Sequence, residues 1–144
     1  MQNITLRALL ASLAVTLGAC SGLIDELPTT PDPVISTETF NGTLTLNGAQ
    51  THTFFTGATG TITATLTALT PQGEAAPEYV GFSMGTQSGS TCNVVLANDR
   101  AVVTSIVTGT VSTLSGSLCM RIYDVGKLTR ETGSVDYTFT VSHP

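Results

Sequence analysis

From residue 38 to its end the chain alternates apolar and polar side chains with a period of two. That restricts it to β structure, because successive side chains of a strand point to opposite faces. In Thr61-Ile62-Thr63-Ala64-Thr65-Leu66-Thr67-Ala68-Leu69, residues Ile62, Ala64, Leu66 and Ala68 fall on one face and the threonines on the other. Val135, Tyr137, Phe139 and Val141 form a second apolar row, and Phe40, Gly42, Leu44 and Leu46 a third. Val80, Phe82 and Met84 make a fourth, and Leu118, Met120 and Ile122 a fifth. β-Branched residues fill these runs, as a pleated, half-buried surface favours. Turn signals separate them: Asn47-Gly48, Gly57 to Gly60, Pro71-Gln72-Gly73, Ser88-Gly89-Ser90, Asn98-Asp99 and Ser115-Gly116. Roughly eight short strands at ~8–12-residue spacing, each with one apolar face, predict an all-β antiparallel sandwich or barrel over 38–144.

The first nineteen residues follow a different rule. Arg7 is the only basic side chain before an apolar run, Ala8 to Leu17, that is too short to span a bilayer, which takes ~20 residues. It fits the apolar region of a signal peptide. The run ends in Leu17-Gly18-Ala19-Cys20, which resembles the lipobox of bacterial lipoproteins. That resemblance implies a diacylglycerol on the Cys20 thiol, and cleavage that leaves Cys20 first. Several acyl chains on one residue make a durable anchor where a single chain binds only marginally. Ser21 follows the cysteine rather than Asp, which favours the outer membrane in a double-membraned cell. Residues 20–37 then carry Pro28, Pro31 and Pro33, which disfavour helix and central strand and predict a semi-extended linker.

Cys92 and Cys119 remain, an even pair in an exported domain, and a disulfide is the first reading. Free thiols or a metal pair are the alternatives, and neither His52 nor His143 has ligand spacing to either cysteine. Alternation places Cys119 opposite Leu118, Met120 and Ile122, hence outward, whereas Cys92 shares parity with Val94 and Leu96, which read as inward. The bond is therefore expected at a strand end or a bulge.

Five stretches carry a family likeness. Cys119-Met120-Arg121-Ile122-Tyr123-Asp124-Val125-Gly126 and the closing Tyr137-Thr138-Phe139-Thr140-Val141-Ser142-His143-Pro144 resemble the late, aromatic-rich strands of the bacterial pre-peptidase C-terminal domain-like family. Phe40-Asn41-Gly42-Thr43-Leu44, His52-Thr53-Phe54-Phe55 and Gly60 to Leu66 resemble its earlier ones. The resemblance implies a jelly-roll-like β-sandwich that serves secreted peptidases as a non-catalytic appendage; this chain carries no peptidase. Some members bind calcium near the domain start, where Asp32 and Glu38 are the only carboxylates here, too few to argue a site.

The pattern offers little for catalysis. His52 shares parity with Phe54 and reads as a core-edge histidine, and His143 reads as solvated. Ser83 stands in Gly81-Phe82-Ser83-Met84-Gly85, the frame of a nucleophile elbow, but that motif needs a helix to follow, and none is predicted. Glu74 and Glu78 flank Ala75-Ala76-Pro77 in the longest surface loop, and Asp124, Lys127 and Arg130 read as turn charges. Arg121 shares a face with Tyr123, which reads first as cross-strand packing and second as a sugar-binding platform. Removing residues 1–19 leaves ten acids and four bases, a net charge of −6, and an acidic chain repels nucleic-acid phosphates. The expectation is a membrane-anchored envelope lipoprotein with a non-catalytic module, either structural or binding an envelope glycan or protein. No cofactor, metal or nucleic acid is expected. The alternative is an inhibitor that plugs a hydrolase with the loop at 71–79.

Overall fold

The structure, a computed structural model, describes residues 31–113 and 115–144. Leu17, Gly18, Ala19 and Cys20 lie outside the described residues. Eight strands follow in chain order: β1 (Ser36–Leu44), β2 (Ala49–Thr56), β3 (Gly60–Pro71), β4 (Val80–Ser88), β5 (Thr91–Ala101), β6 (Ile106–Val111), β7 (Gly116–Tyr123) and β8 (Val135–His143). No helix occurs among the described residues. The strands form two antiparallel sheets, ordered β1-β8-β3-β6 and β2-β7-β4-β5. Only β4 and β5 are neighbours in both chain and sheet; the other connections cross between sheets, which is the jelly-roll arrangement expected.

The alternating rows meet in one core. Leu44, Leu66, Val80, Phe82, Met120 and Ile122 are fully buried with Val135, Phe139 and Val141. Phe139 is central: Phe40 stacks on it at 5.2 Å between ring centroids, and Phe82 meets it edge-on at 5.3 Å from the opposite sheet. Strand β1 opens at Ser36, two residues before the expected start, because β8 runs on and supplies partners. Ser36 lies opposite His143 and Thr37 opposite Ser142, with those two hydroxyls 2.9 Å apart.

Parity fails at three places, each for a local reason. Leu46 lies past the end of β1, in the turn held by Gly48 N–H donating to the Thr45 carbonyl, and is 45 % exposed. The β3–β8 register shifts between Leu66 and Ala68, so Leu69 packs on the core where Ala68 was expected to. Strand β5 carries an extra residue, Val95, between the pairs Met84–Leu96 and Gly85–Val94. That bulge reverses parity: Leu96 stays on the inner side, at the rim, while Val94 and Cys92 turn outward with Gly85 and Gln87. Since β5 is an edge strand, Val94 and Val95 are left 44 % and 69 % exposed.

The expected disulfide is present. Cys92 on β5 is bonded to Cys119 on β7 although β4 lies between those strands, and their Cα atoms are 5.8 Å apart. Strands two apart in a flat sheet are separated by about 9.5 Å. The tip of the β4–β5 hairpin therefore folds over the outer face of its own sheet. Gly85 is where it bends: a Cβ there would lie 2.1 Å from the Asn93 carbonyl oxygen, so only glycine lets the two backbones approach. The fold-over also explains why Cys119 points outward and is still fully buried.

Candidate functional site

The folded hairpin tip creates a cleft on the outer face of the second sheet. Ser90, Thr91 and Cys92 form one wall, and Ala49, Thr51 and Arg121 the other, around a space of about 360 Å³. Strand alternation explains the far wall: Thr51 on β2 lies directly opposite Arg121 on β7, both on the face away from the core. Three of the six lining residues, Thr51, Ser90 and Thr91, carry hydroxyls, and Arg121 is the one charged side chain there among the described residues.

A chain of contacts fixes Arg121. Its guanidinium carbon stands 5.3 Å from the centroid of the Tyr123 ring, within cation–π range. The ring lies over Gly81, where a Cβ would come within 2.2 Å of it. The Tyr123 hydroxyl donates a short hydrogen bond to Asp99. Burial, aided by that bond and by the Asp99 charge, pushes the Tyr123 phenol up to about 12. Strand β5 supplies Asp99 through a second bulge, which sets Asp99 and Arg100 against the single residue Gly81. Arg100 lies 4.9 Å and Lys127 5.0 Å from the centroid of Tyr79, and Lys127 also pairs with Glu78 at 2.9 Å. Three of the four basic residues in 31–144 are thus gathered around two tyrosines. Arg100 and Arg121 form no ion pair among the described residues.

The remaining candidates are dispersed. Ser83 is buried in mid-strand on the outer side of β4 and donates a long, 3.5 Å, hydrogen bond to the Arg121 carbonyl. His52 faces the other way, into the sandwich, where its Nε2 is 2.7 Å from the Tyr137 hydroxyl and its ring packs on Phe40 and Phe139. Burial holds the His52 pKa below its ordinary value and raises that of Tyr137. Glu74 lies in an exposed loop whose backbone is hydrogen-bonded to 131–134. Ser83, His52 and Glu74 are not brought together.

His143 was expected in solvent and is instead 5 % exposed: β8 pairs with β1 to its end, and His143 Nε2 lies 2.8 Å from a Glu38 carboxylate oxygen. Asp124 has a structural role. Its carboxylate accepts the backbone N–H groups of Asn47, Gly126, Lys127 and Leu128. Burial alone would raise its pKa, but those four donors outweigh it and hold the carboxyl below the usual range. No group of three or more His, Cys, Asp or Glu side chains suited to a metal occurs among the described residues.

Thr51, Tyr79, Ser90, Thr91, Asp99 and Arg100 belong to this surface and carry no signal in the linear pattern beyond ordinary turn and strand chemistry. No protein-family model matches the chain, and no curated protein matches it at a significant level.

Proposed function

We propose that the chain is a lipid-anchored envelope protein whose β-sandwich is a non-catalytic binding module, with the outer face of the β2-β7-β4-β5 sheet as its binding surface. One observation carries the binding reading. Arg121 lines an open, hydroxyl-walled cleft, stacked on Tyr123 and without a carboxylate partner among the described residues. A guanidinium held in place but unpaired has donors left for a ligand, and its pre-organisation reduces the entropy lost on binding. The anchor rests on the Leu17-Gly18-Ala19-Cys20 sequence, and the non-catalytic reading is supported by the separation of Ser83, His52 and Glu74.

The test has two parts. Mass spectrometry of the protein recovered from membranes of the producing cell is expected to give a chain that starts at Cys20 with a diacylglyceryl mass. An unlipidated N-terminus at another residue removes the anchor. The full chain in mild detergent, immobilised and exposed to an envelope extract, is expected to retain one class of glycan or protein above a heat-denatured control, and Arg121→Gln to lose it. Retention equal to the control removes the binding reading.

A further inference from the structure

We infer that the Arg121 cleft takes a carboxylate-bearing saccharide. The inference rests on the binding reading above and names its ligand class.

The walls specify the chemistry. Thr51, Ser90 and Thr91 present hydroxyls, which both donate and accept hydrogen bonds and so suit the hydroxyls of a sugar. Arg121 presents a planar fork of N–H donors, which matches a carboxylate in two parallel bonds. A neutral sugar satisfies the walls and leaves the guanidinium unpaired; a small anion satisfies the guanidinium and leaves the walls to water. A sugar bearing a carboxylate satisfies both. The cleft, at about 360 Å³, is large enough for one or two such rings.

The charges support the same class. Residues 31–144 hold eight acids and four bases, so the domain as a whole repels anions. Arg121 is the one charged side chain among the described residues of the lining, and neither Glu78 nor Asp99 pairs with it. Glu78 is tied to Lys127, and Asp99 is held by the Tyr123 hydroxyl. A protein this acidic that sets an unpaired arginine in one polar cleft selects an anion there and discourages it elsewhere.

The disulfide ties this cleft to the redox state. Cys92 is itself part of the wall, and its bond to Cys119 holds Ser90 and Thr91 across from Thr51 and Arg121. Reduction is expected to open the cleft and weaken binding while Arg121 stays in place.

The experiment is isothermal titration of the full chain in detergent. The carboxylated probes are oligogalacturonate, oligomannuronate and sialyl-lactose. The controls are a neutral cello-oligosaccharide and inorganic phosphate. At least one carboxylated probe is expected to bind. Arg121→Gln, verified to melt at the parent temperature, is expected to weaken it about tenfold or more, the scale of a lost hydrogen bond to a charged group. Added salt and added reductant are each expected to weaken it as well. Neutral sugar bound equally well, with the same loss in Arg121→Gln, overturns the ligand class and leaves the binding surface standing. Phosphate bound as tightly as the saccharides shows a general oxyanion site and also overturns it. Failure of all three carboxylated probes overturns the inference, and the envelope retention experiment then decides the broader reading separately.

Discussion

Breaking the Cys92–Cys119 bond separates two roles that one covalent link performs. The cysteines are 27 residues apart in sequence. Closing a loop of that length removes about 3–4 kcal/mol of chain entropy from the unfolded state. At ~2.1 cal/mol/K per residue, the unfolding entropy of a domain from Ser36 to Pro144 is about 0.23 kcal/mol/K. The Tm should therefore fall by about 15 °C. Scanning calorimetry of the protein with and without a phosphine reductant measures this directly.

The double variant Cys92→Ala/Cys119→Ala checks it by another route. Cys119 is fully buried under the hairpin tip, so this variant also loses packing and should melt a little below the reduced protein. The second role is local. The tip carries its own hairpin pairs, Gln87 with Cys92 and Ser88 with Thr91, which survive reduction, but nothing else in the ladder pulls it over β4. Amide exchange on reduction should accelerate most at 86–93, with smaller effects across β1 and β8. A Tm drop below about 5 °C, or exchange that rises evenly through both sheets, would refute the argument that the bond acts as a long-loop staple on a folded-over hairpin.

Four other outcomes follow from named contacts. Gly81→Ala drives a methyl group to within 2.2 Å of the Tyr123 ring, and should cost about 1–3 kcal/mol by denaturant unfolding and let the phenol titrate nearer its ordinary value by ultraviolet absorbance. Tyr123 is raised from 10.0 to about 12, so the folded state holds a proton that the unfolded state releases; stability should fall as pH rises between those values, and less so in Tyr123→Phe. His52 is shifted the opposite way. Below about 6.5 the unfolded chain takes up a proton that the folded chain resists, so stability should fall with acidification there, and His52→Gln should flatten that limb of a pH–Tm series. Phe139→Ala empties the centre of the aromatic cluster and should cost about 3–5 kcal/mol; a loss under 1 kcal/mol would mean the core is not packed around that ring.

The strands were legible in the sequence because each core strand meets only one requirement, an apolar face against the other sheet. Ile62, Leu66, Phe82, Met120 and Phe139 announce themselves by alternation and are all buried. Legibility ends where a backbone departs from the period. The bulge at Val95 is invisible in Val94-Val95-Leu96, since three apolar residues in a row fit either parity. His143 shows the complementary failure. Its burial depends on Glu38 and on β1, 105 residues away in the chain, and no local pattern carries that pairing.

The cleft lies between these cases, because the sequence does mark it, in a place that invites another reading. Gly81-Phe82-Ser83-Met84-Gly85 has the form of a nucleophile elbow, in which glycines free a serine on a tight turn. In β4 the same residues run through a central strand that bends at Gly85, and the alternation separates them by face. Phe82 and Met84 enter the core, and Gly81, Ser83 and Gly85 lie outward. Three small outward residues on a central strand leave a trough, and a trough on a sandwich exterior is filled by whatever crosses it. Tyr123 settles over Gly81 and the hairpin backbone over Gly85. Arg121, opposite Ser83, is left stacked on the first and facing the second. The glycines leave room in a strand here rather than form a turn. Their absent side chains let a tyrosine and a disulfide-tied hairpin position one arginine, which ties the fold of β4 to the proposed binding surface.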